Sequence, residues 1–183
     1  MKPMQPAELT RNPVRAAGFT LIELVIVITI IGILAAVALP RLIDAQRDAR
    51  IAKTHAIYGS IRSATALARA RCELDLAQGG TTWCNDTANP TVNMDGAVVK
   101  IKNRHPTAAV DGIDVAAALS LTSDGLAATN TTATHTVAGV VVPARRFDVA
   151  GGTAGSCTIT YKEAAMPSGS IVGPEVTVVV TGC

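Results

Sequence analysis

Residues 18–40 read Gly-Phe-Thr-Leu-Ile-Glu-Leu-Val-Ile-Val-Ile-Thr-Ile-Ile-Gly-Ile-Leu-Ala-Ala-Val-Ala-Leu-Pro. From Phe19 to Leu39 there are 21 residues and a single charge, Glu23. About 20 predominantly apolar residues carry a helix across a bilayer, so this run is of spanning length, interrupted only by Gly32 and closed by Pro40. A carboxylate at the centre of a membrane costs about 2.5–3.5 kcal/mol on insertion scales, and such residues usually mark function. Glu23 sits near one end of the run, which lowers that cost without removing the question of why it is there.

Upstream, residues 1–17 are polar, contain Pro3, Pro6 and Pro13, and carry Lys2, Arg11 and Arg15 against Glu8. A net positive flank of this kind stays on the cytoplasmic side of a membrane. Downstream of Pro40 the pattern turns amphipathic. Leu42, Ala45, Ala49, Ala52 and Ala56 recur at helical spacing, and Ile57, Ile61, Ala64, Ala68 and Cys72 continue it on a stripe shifted by one residue. The periodicity and the alanine content predict a helix. One nearly continuous helix from Phe19 to about Cys72 would be roughly 80 Å long at about 1.5 Å per residue.

Beyond Glu73 the composition shifts to Thr, Gly, Val, Asn and Asp. Turn signals are frequent: Gly79-Gly80, Asn89-Pro90, Asp95-Gly96, Asp111-Gly112, Asp124-Gly125 and Gly151-Gly152. Between them the sequence predicts short strands at Ala97–Lys102, Val137–Val142, Arg145–Val149, Cys157–Lys162 and Glu175–Thr181, with a short helix over Val115–Leu121.

Charge and cysteine usage narrow the function. Without its first 18 residues the chain holds 13 basic and 13 acidic residues. Arg41 to Arg71 carries seven basic residues against two acidic, whereas residues 72–183 carry six against ten. A basic stem below an acidic head suits subunits that stack side by side. Aromatic residues are only 3%, too few for a base-stacking surface, and no nucleic-acid partner is expected. No C-x-x-C occurs, and His55, His105 and His135 are far apart, so no metal site is expected. There is no G-x-S-x-G, H-E-x-x-H or phosphate-binding glycine loop. The reading is therefore of a protein that is not an enzyme and needs no cofactor. Asp95, Asp111, Asp114 and Asp124 read as solvated turn residues rather than calcium ligands, and Arg145-Arg146 as an exposed strand end.

The segment Gly18-Phe19-Thr20-Leu21-Ile22-Glu23-Leu24, with its apolar run to Leu39-Pro40, resembles the class III signal of type IV pilins and type II secretion pseudopilins. Residues 40–50, Pro-Arg-Leu-Ile-Asp-Ala-Gln-Arg-Asp-Ala-Arg, are similar to the helix of mannose-sensitive-haemagglutinin-type pilins. Cys157–Tyr161 and Val178–Cys183 are similar to the C-terminus of the same group. The resemblance implies an α+β fold, with a long N-terminal helix packed against a C-terminal antiparallel β-sheet head. The implied organisation is a cleaved leader (1–18), a transmembrane and assembly helix (19–39), an amphipathic helix of the head (40–72) and a β-rich globular head (73–183).

By resemblance, a prepilin peptidase cuts after Gly18 and methylates the new amino terminus of Phe19. The subunit then waits in the bacterial inner membrane, with its head in the periplasm, and an assembly platform adds it to a homo-oligomeric helical filament at the cell surface. Glu23 of one subunit can pair there with the Phe19 amine of a neighbour, so that both charges lose their desolvation penalty together. Gly32 and Pro40 mark the family's site of local unwinding during assembly. The residues alone equally allow a simple helix boundary at Pro40, because proline removes a backbone hydrogen bond and clashes with the preceding turn. A type II secretion pseudopilin or minor pilin is the alternative within the family. A conventionally secreted protein cut after Ala36-Val37-Ala38 is the remote one.

An even cysteine count downstream of an export-type segment reads as two disulfides. Four cysteines, Cys72, Cys84, Cys157 and Cys183, allow three connectivities. If the strands at Cys157–Lys162 and Glu175–Thr181 pair directly and antiparallel, Cys157 falls opposite Cys183, Ile159 opposite Thr181 and Tyr161 opposite Val179. Cys72 and Cys84 are then left to close the loop after the helix.

Overall fold

Helix α1 (Leu21–Ala77) opens with a run of Val and Ile whose intrinsic preference is for strands. A segment that spans lipid must satisfy its own amides, which favours the helix over that preference. Pro40 lies inside α1 and does not end it, and Gly32 interrupts nothing. The simple helix boundary at Pro40 is therefore corrected: strong helix formers on both sides (Ala35, Ala36, Ala38, Leu39, Leu42) outweigh the single lost hydrogen bond. The computed structural model describes residues 18–79, 84 and 89–183; the expected leader up to Ala17, and Gly80, lie outside them. Residues 18–43 and residues 44–183 fall in two compact units.

In the second unit α1 supplies one face of the core and two antiparallel sheets supply the rest. Strands β1 (Thr91–Met94), β2 (Ala97–Lys102) and β3 (His105–Pro106) form one sheet in that order. Strands β4 (Leu126–Thr134), β5 (Val141–Val149), β6 (Thr158–Lys162) and β7 (Glu175–Val179) form the other as a meander. Ile57, Ile61 and Ala64 of α1 pack with Phe147, Ile159 and Tyr161 of the four-stranded sheet. Ala68 and Cys72 pack with Val92, Val99 and Ile101 of the three-stranded one. The stripe Ile57-Ile61-Ala64-Ala68-Cys72 is thus the buried one. Leu42, Ala45, Ala49, Ala52 and Ala56 are exposed. The Tyr161 hydroxyl donates to the Pro106 carbonyl at 2.6 Å, joining the two sheets, and burial pushes its phenol well above the usual range.

The expected short helix over Val115–Leu121 starts earlier and is cut short: a π-type turn at Val110–Asp114 runs into helical Val115 and Ala116, and residues 117–121 leave the helix. A Cβ on Gly112 would collide with the Thr107 carbonyl, so only glycine passes there. This turn delivers Asp114 into the core, where its carboxylate accepts from Arg145 Nε at 3.1 Å and Nη2 at 2.6 Å. Asn130 Oδ1 accepts from Arg145 Nη1 at 2.6 Å. Asp114 and Arg145 are both 4% exposed, which corrects their reading as a solvated turn residue and an exposed strand end. Arg145 faces inward because it shares its face of β5 with Phe147 and Val149, both buried in the core. Removing one member of a buried pair costs about 3–5 kcal/mol, because the other charge stays buried alone. Asp114→Ala is therefore expected to lower the thermal unfolding midpoint of the full-length protein in detergent well below that of the parent. Equal midpoints would show that the pair contributes nothing.

The structure joins Cys72 to Cys84 and Cys157 to Cys183, with Cα separations of 5.3 and 4.7 Å. The strand register differs from the direct pairing set out above. Ile159 lies opposite Val178 and Tyr161 opposite Val176, an offset of three residues. An odd shift exchanges the two faces of a strand. The observed register puts Val176, Val178 and Val180 against the core, whereas the other would have placed Val179 and Thr181 there. After Val179 the chain leaves the ladder. The Gly182 amide donates to the Ser156 carbonyl at 2.8 Å, and the Thr153 amide donates to the Gly182 carbonyl at 2.9 Å. Cys183 thereby reaches Cys157 from a turn rather than from a strand.

Candidate functional site

The N-terminal unit carries the residues singled out by the motif. Thr20 precedes α1 as its N-cap and Glu23 is the third helical residue. The Glu23 amide donates to Thr20 Oγ1 at 3.3 Å, while the Thr20 amide and hydroxyl donate to Glu23 Oε2, each at 3.2 Å. This is a capping box, in which two otherwise unpaired backbone donors are satisfied reciprocally. The negative carboxylate also lies at the positive end of the helix dipole. Thr20 was not among the expected site residues; the T-x-x-E spacing before an apolar run is the signal that identifies it. Within the run, the Thr29 hydroxyl donates to the Ile26 carbonyl at 2.8 Å, so the side chain leaves no polar group unmet on an otherwise apolar surface.

Residues 18–49 are all exposed. Phe19 is 91% exposed and Leu21 79%, and the helix is long and apolar enough to cross a membrane. A contiguous apolar surface of this extent marks a membrane or protein contact rather than a solvated face. None of the described residues lies within 4 Å of where a Cβ on Gly18 or Gly32 would sit, so their packing demands neither glycine.

The second unit supplies support. Arg50 Nε donates to the Cys183 carbonyl at 2.6 Å, and Thr54 Oγ1 lies 3.7 Å from both Cys157 and Cys183 sulfurs. These contacts tie the head portion of α1 to the chain end. The Cys72–Cys84 disulfide stands at the other end of the buried stripe, against β1 and β2.

Comparison with known proteins places these features in one context. Residues 14–39 match the family model described as the prokaryotic N-terminal methylation motif. The chain is 39% identical over 95 residues to the type IV narrow pilus major component PilA5 of Thermus thermophilus, a match covering 45% of this chain and 82% of that protein. It is 44% identical over 81 residues to the fimbrial protein EcpB of Eikenella corrodens, covering 44% of this chain and 43% of that one. No solved structure matches. The matched methylation motif contains Gly18, Phe19, Thr20 and Glu23, the α+β architecture follows it, and most of a pilus component's length aligns: this chain belongs to the type IV pilin family.

Proposed function

We propose that the chain is a structural, non-enzymatic subunit of a type IV pilus filament. It is made as a precursor, cut between Gly18 and Phe19 by a prepilin peptidase and methylated at the Phe19 amine. The helix over residues 19–39 then anchors it in the inner membrane as a single span, with the head, residues 40–183, in the periplasm. From there an assembly platform moves it into a surface filament in which the same helix bundles with those of other copies. The observation that carries this reading is the exposed apolar face of α1, headed by a charged, capped terminus and covered by none of the described residues. In a bundle of such helices the apolar surface leaves water or lipid, and at about 25 cal/mol per Å² its burial is a large driving force. Gly32 and Pro40 are the positions where the helix can yield locally, since one lacks a side chain and the other a backbone donor.

Mass spectrometry and amino-terminal sequencing of filaments sheared from cells test the processing directly. The expected terminus is Phe19 carrying one methyl group. A mature terminus at Leu39 would instead mean conventional secretion, with cleavage after Ala38, and would overturn the reading.

A further inference from the structure

The head contains a cleft of about 740 Å³. One wall is the α1 face from Tyr58 to Glu73, the other is Gly173-Pro174 and the start of β7 at Glu175 and Val176, and His105 also lines the space. The small residues Thr65, Ala66 and Ala70 line α1 between and beside Arg62 and Arg69, which leaves hollow space between two long cationic side chains. Binding pockets run from roughly 300 to 1,000 Å³, so the space suits a segment of a few residues better than a lone ion.

The charges in the cleft are unevenly satisfied. Glu175 accepts from the Thr136 amide and hydroxyl, each at 2.7 Å, and from Lys162 Nζ at 3.0 Å. Burial alone would raise its pKa, but these bonds lower it to about 2. Glu73 accepts from Arg104 Nη1 at 2.8 Å. Both carboxylates are therefore occupied. Among the described residues the arginines are not: Arg62 meets only the Tyr58 hydroxyl at 3.1 Å and the Tyr58 ring at 5.6 Å, and Arg69 stands 4.0 Å from the already engaged Glu73. Each guanidinium offers five donors suited to bidentate capture of a carboxylate. His105 is 5% exposed and its Nδ1 has no partner among the described residues. Burial and Arg69 hold its pKa at about 4, with Glu73 partly opposing, so at neutral pH it adds no charge.

The second wall has backbone to offer. Among the described residues β7 is the terminal strand of its sheet, so alternate residues turn an N–H and C=O outward that no described strand pairs. A strand laid along such an edge gains main-chain hydrogen bonds, while pockets for alternate side chains give specificity. We propose that this cleft receives an extended acidic peptide segment, which adds to β7 as a fifth strand and places its carboxylates on Arg62 and Arg69. A free phosphate could use the arginines but would leave the β7 edge and the Tyr58 and Val176 walls without a partner.

Fluorescence anisotropy with the full-length mature protein in detergent tests this. The probe is a labelled heptapeptide Thr-Val-Asp-Val-Asp-Val-Thr, whose two aspartates share one face of a strand. It is compared with an Asn-for-Asp version and with one N-methylated on the amides that would pair with β7. The acidic peptide is expected to bind, more weakly as salt rises, and the other two to bind about tenfold or more weakly. Arg62→Ala and Arg69→Ala should each weaken binding about tenfold with the unfolding midpoint unchanged, since both side chains are exposed. The double variant Arg62→Glu, Arg69→Glu should prefer a Lys-for-Asp peptide. The proposal is overturned if the acidic peptide does not bind, or if the Arg62→Ala, Arg69→Ala double variant binds it as the parent does. It is equally overturned if the N-methylated peptide binds as tightly as the unmodified one and inorganic phosphate displaces both, for then the cleft is an anion site only.

Discussion

Gly18→Val is expected to leave full-length precursor in the membrane and no filament on the cell. The described residues place no constraint on this position: a Cβ there meets none of them within 4 Å, and Gly18 lies outside α1. Folding and insertion of the variant should therefore be unchanged. The constraint comes from the peptidase, which must grip an extended segment at the cut, where a branched side chain replaces none at all and restricts the backbone as well. Without the cut there is no free amine on Phe19, and the polar, positively charged leader stays attached to the end of the helix that must enter an apolar bundle. Moving that charge into the bundle would carry the full desolvation cost of unpaired ions. The measurement is an immunoblot of membrane and sheared fractions that resolves precursor from mature chain. Normal filaments from Gly18→Val would overturn the processing claim. A conventionally secreted protein cut after Ala38 would be indifferent to the change, so the same experiment separates the two.

Glu23→Ala is expected to leave insertion and cleavage intact and to stop assembly. Deleting the charge makes the segment more apolar, which favours insertion. Two losses follow in the mature subunit, and their sizes differ. The Glu23 half of the capping box goes, since Glu23 Oε2 is the acceptor for the Thr20 amide and hydroxyl; the residue-23 amide still donates to Thr20 Oγ1, so the loss stays below the about 0.5–2 kcal/mol of a lost N-cap. In the proposed filament the Phe19 amine of an adjoining subunit also loses its counterion in a low-dielectric bundle, at about 3–5 kcal/mol. The second loss, a factor of more than a hundred in equilibrium for each added subunit, decides the outcome. Thr20→Val separates the two effects, because it removes the hydroxyl contacts of the cap and keeps the carboxylate. It should reduce filament yield less than Glu23→Ala does. Mature protein in membranes is compared with protein in sheared filaments. Wild-type proportions in Glu23→Ala would reduce Glu23 to a helix-capping residue.

The head shows where side-chain pattern stops being informative. Strand β2 is legible because Ala97–Lys102 alternates valine and isoleucine with lysine between two turn signals. Strand β4, Leu-Ala-Ala-Thr-Asn-Thr-Thr-Ala-Thr, is not legible. Its small polar residues show no apolar alternation, and it exists because β5 offers it nine consecutive partners. The expected strand at Val137–Val142 divides, with residues 135–140 forming the turn between β4 and β5. His135 holds that turn: its Nε2 donates to the Gly173 carbonyl at 2.8 Å, while Nδ1 accepts from the Ala138 amide at 3.2 Å. A contact across 38 positions cannot be read from local propensity.

What the sequence by itself determined is the part whose physics is local. The apolar run, its length, the T-x-x-E cap and the glycine before Phe19 are all contained within residues 18–40, so composition and spacing suffice to read a membrane-length helix and its terminal motif. Two apolar stripes on the following stretch are equally legible, but only the tertiary structure decided that Ile57 to Cys72 is buried and Leu42 to Ala56 is not. That choice depends on where the two sheets reach α1. The register of β7, the inward turn of Arg145 toward Asp114 and the cleft beside Arg62 were decided in the same way. Each depends on surfaces brought together from distant parts of the chain, and burial rather than propensity selects which face, partner or space results.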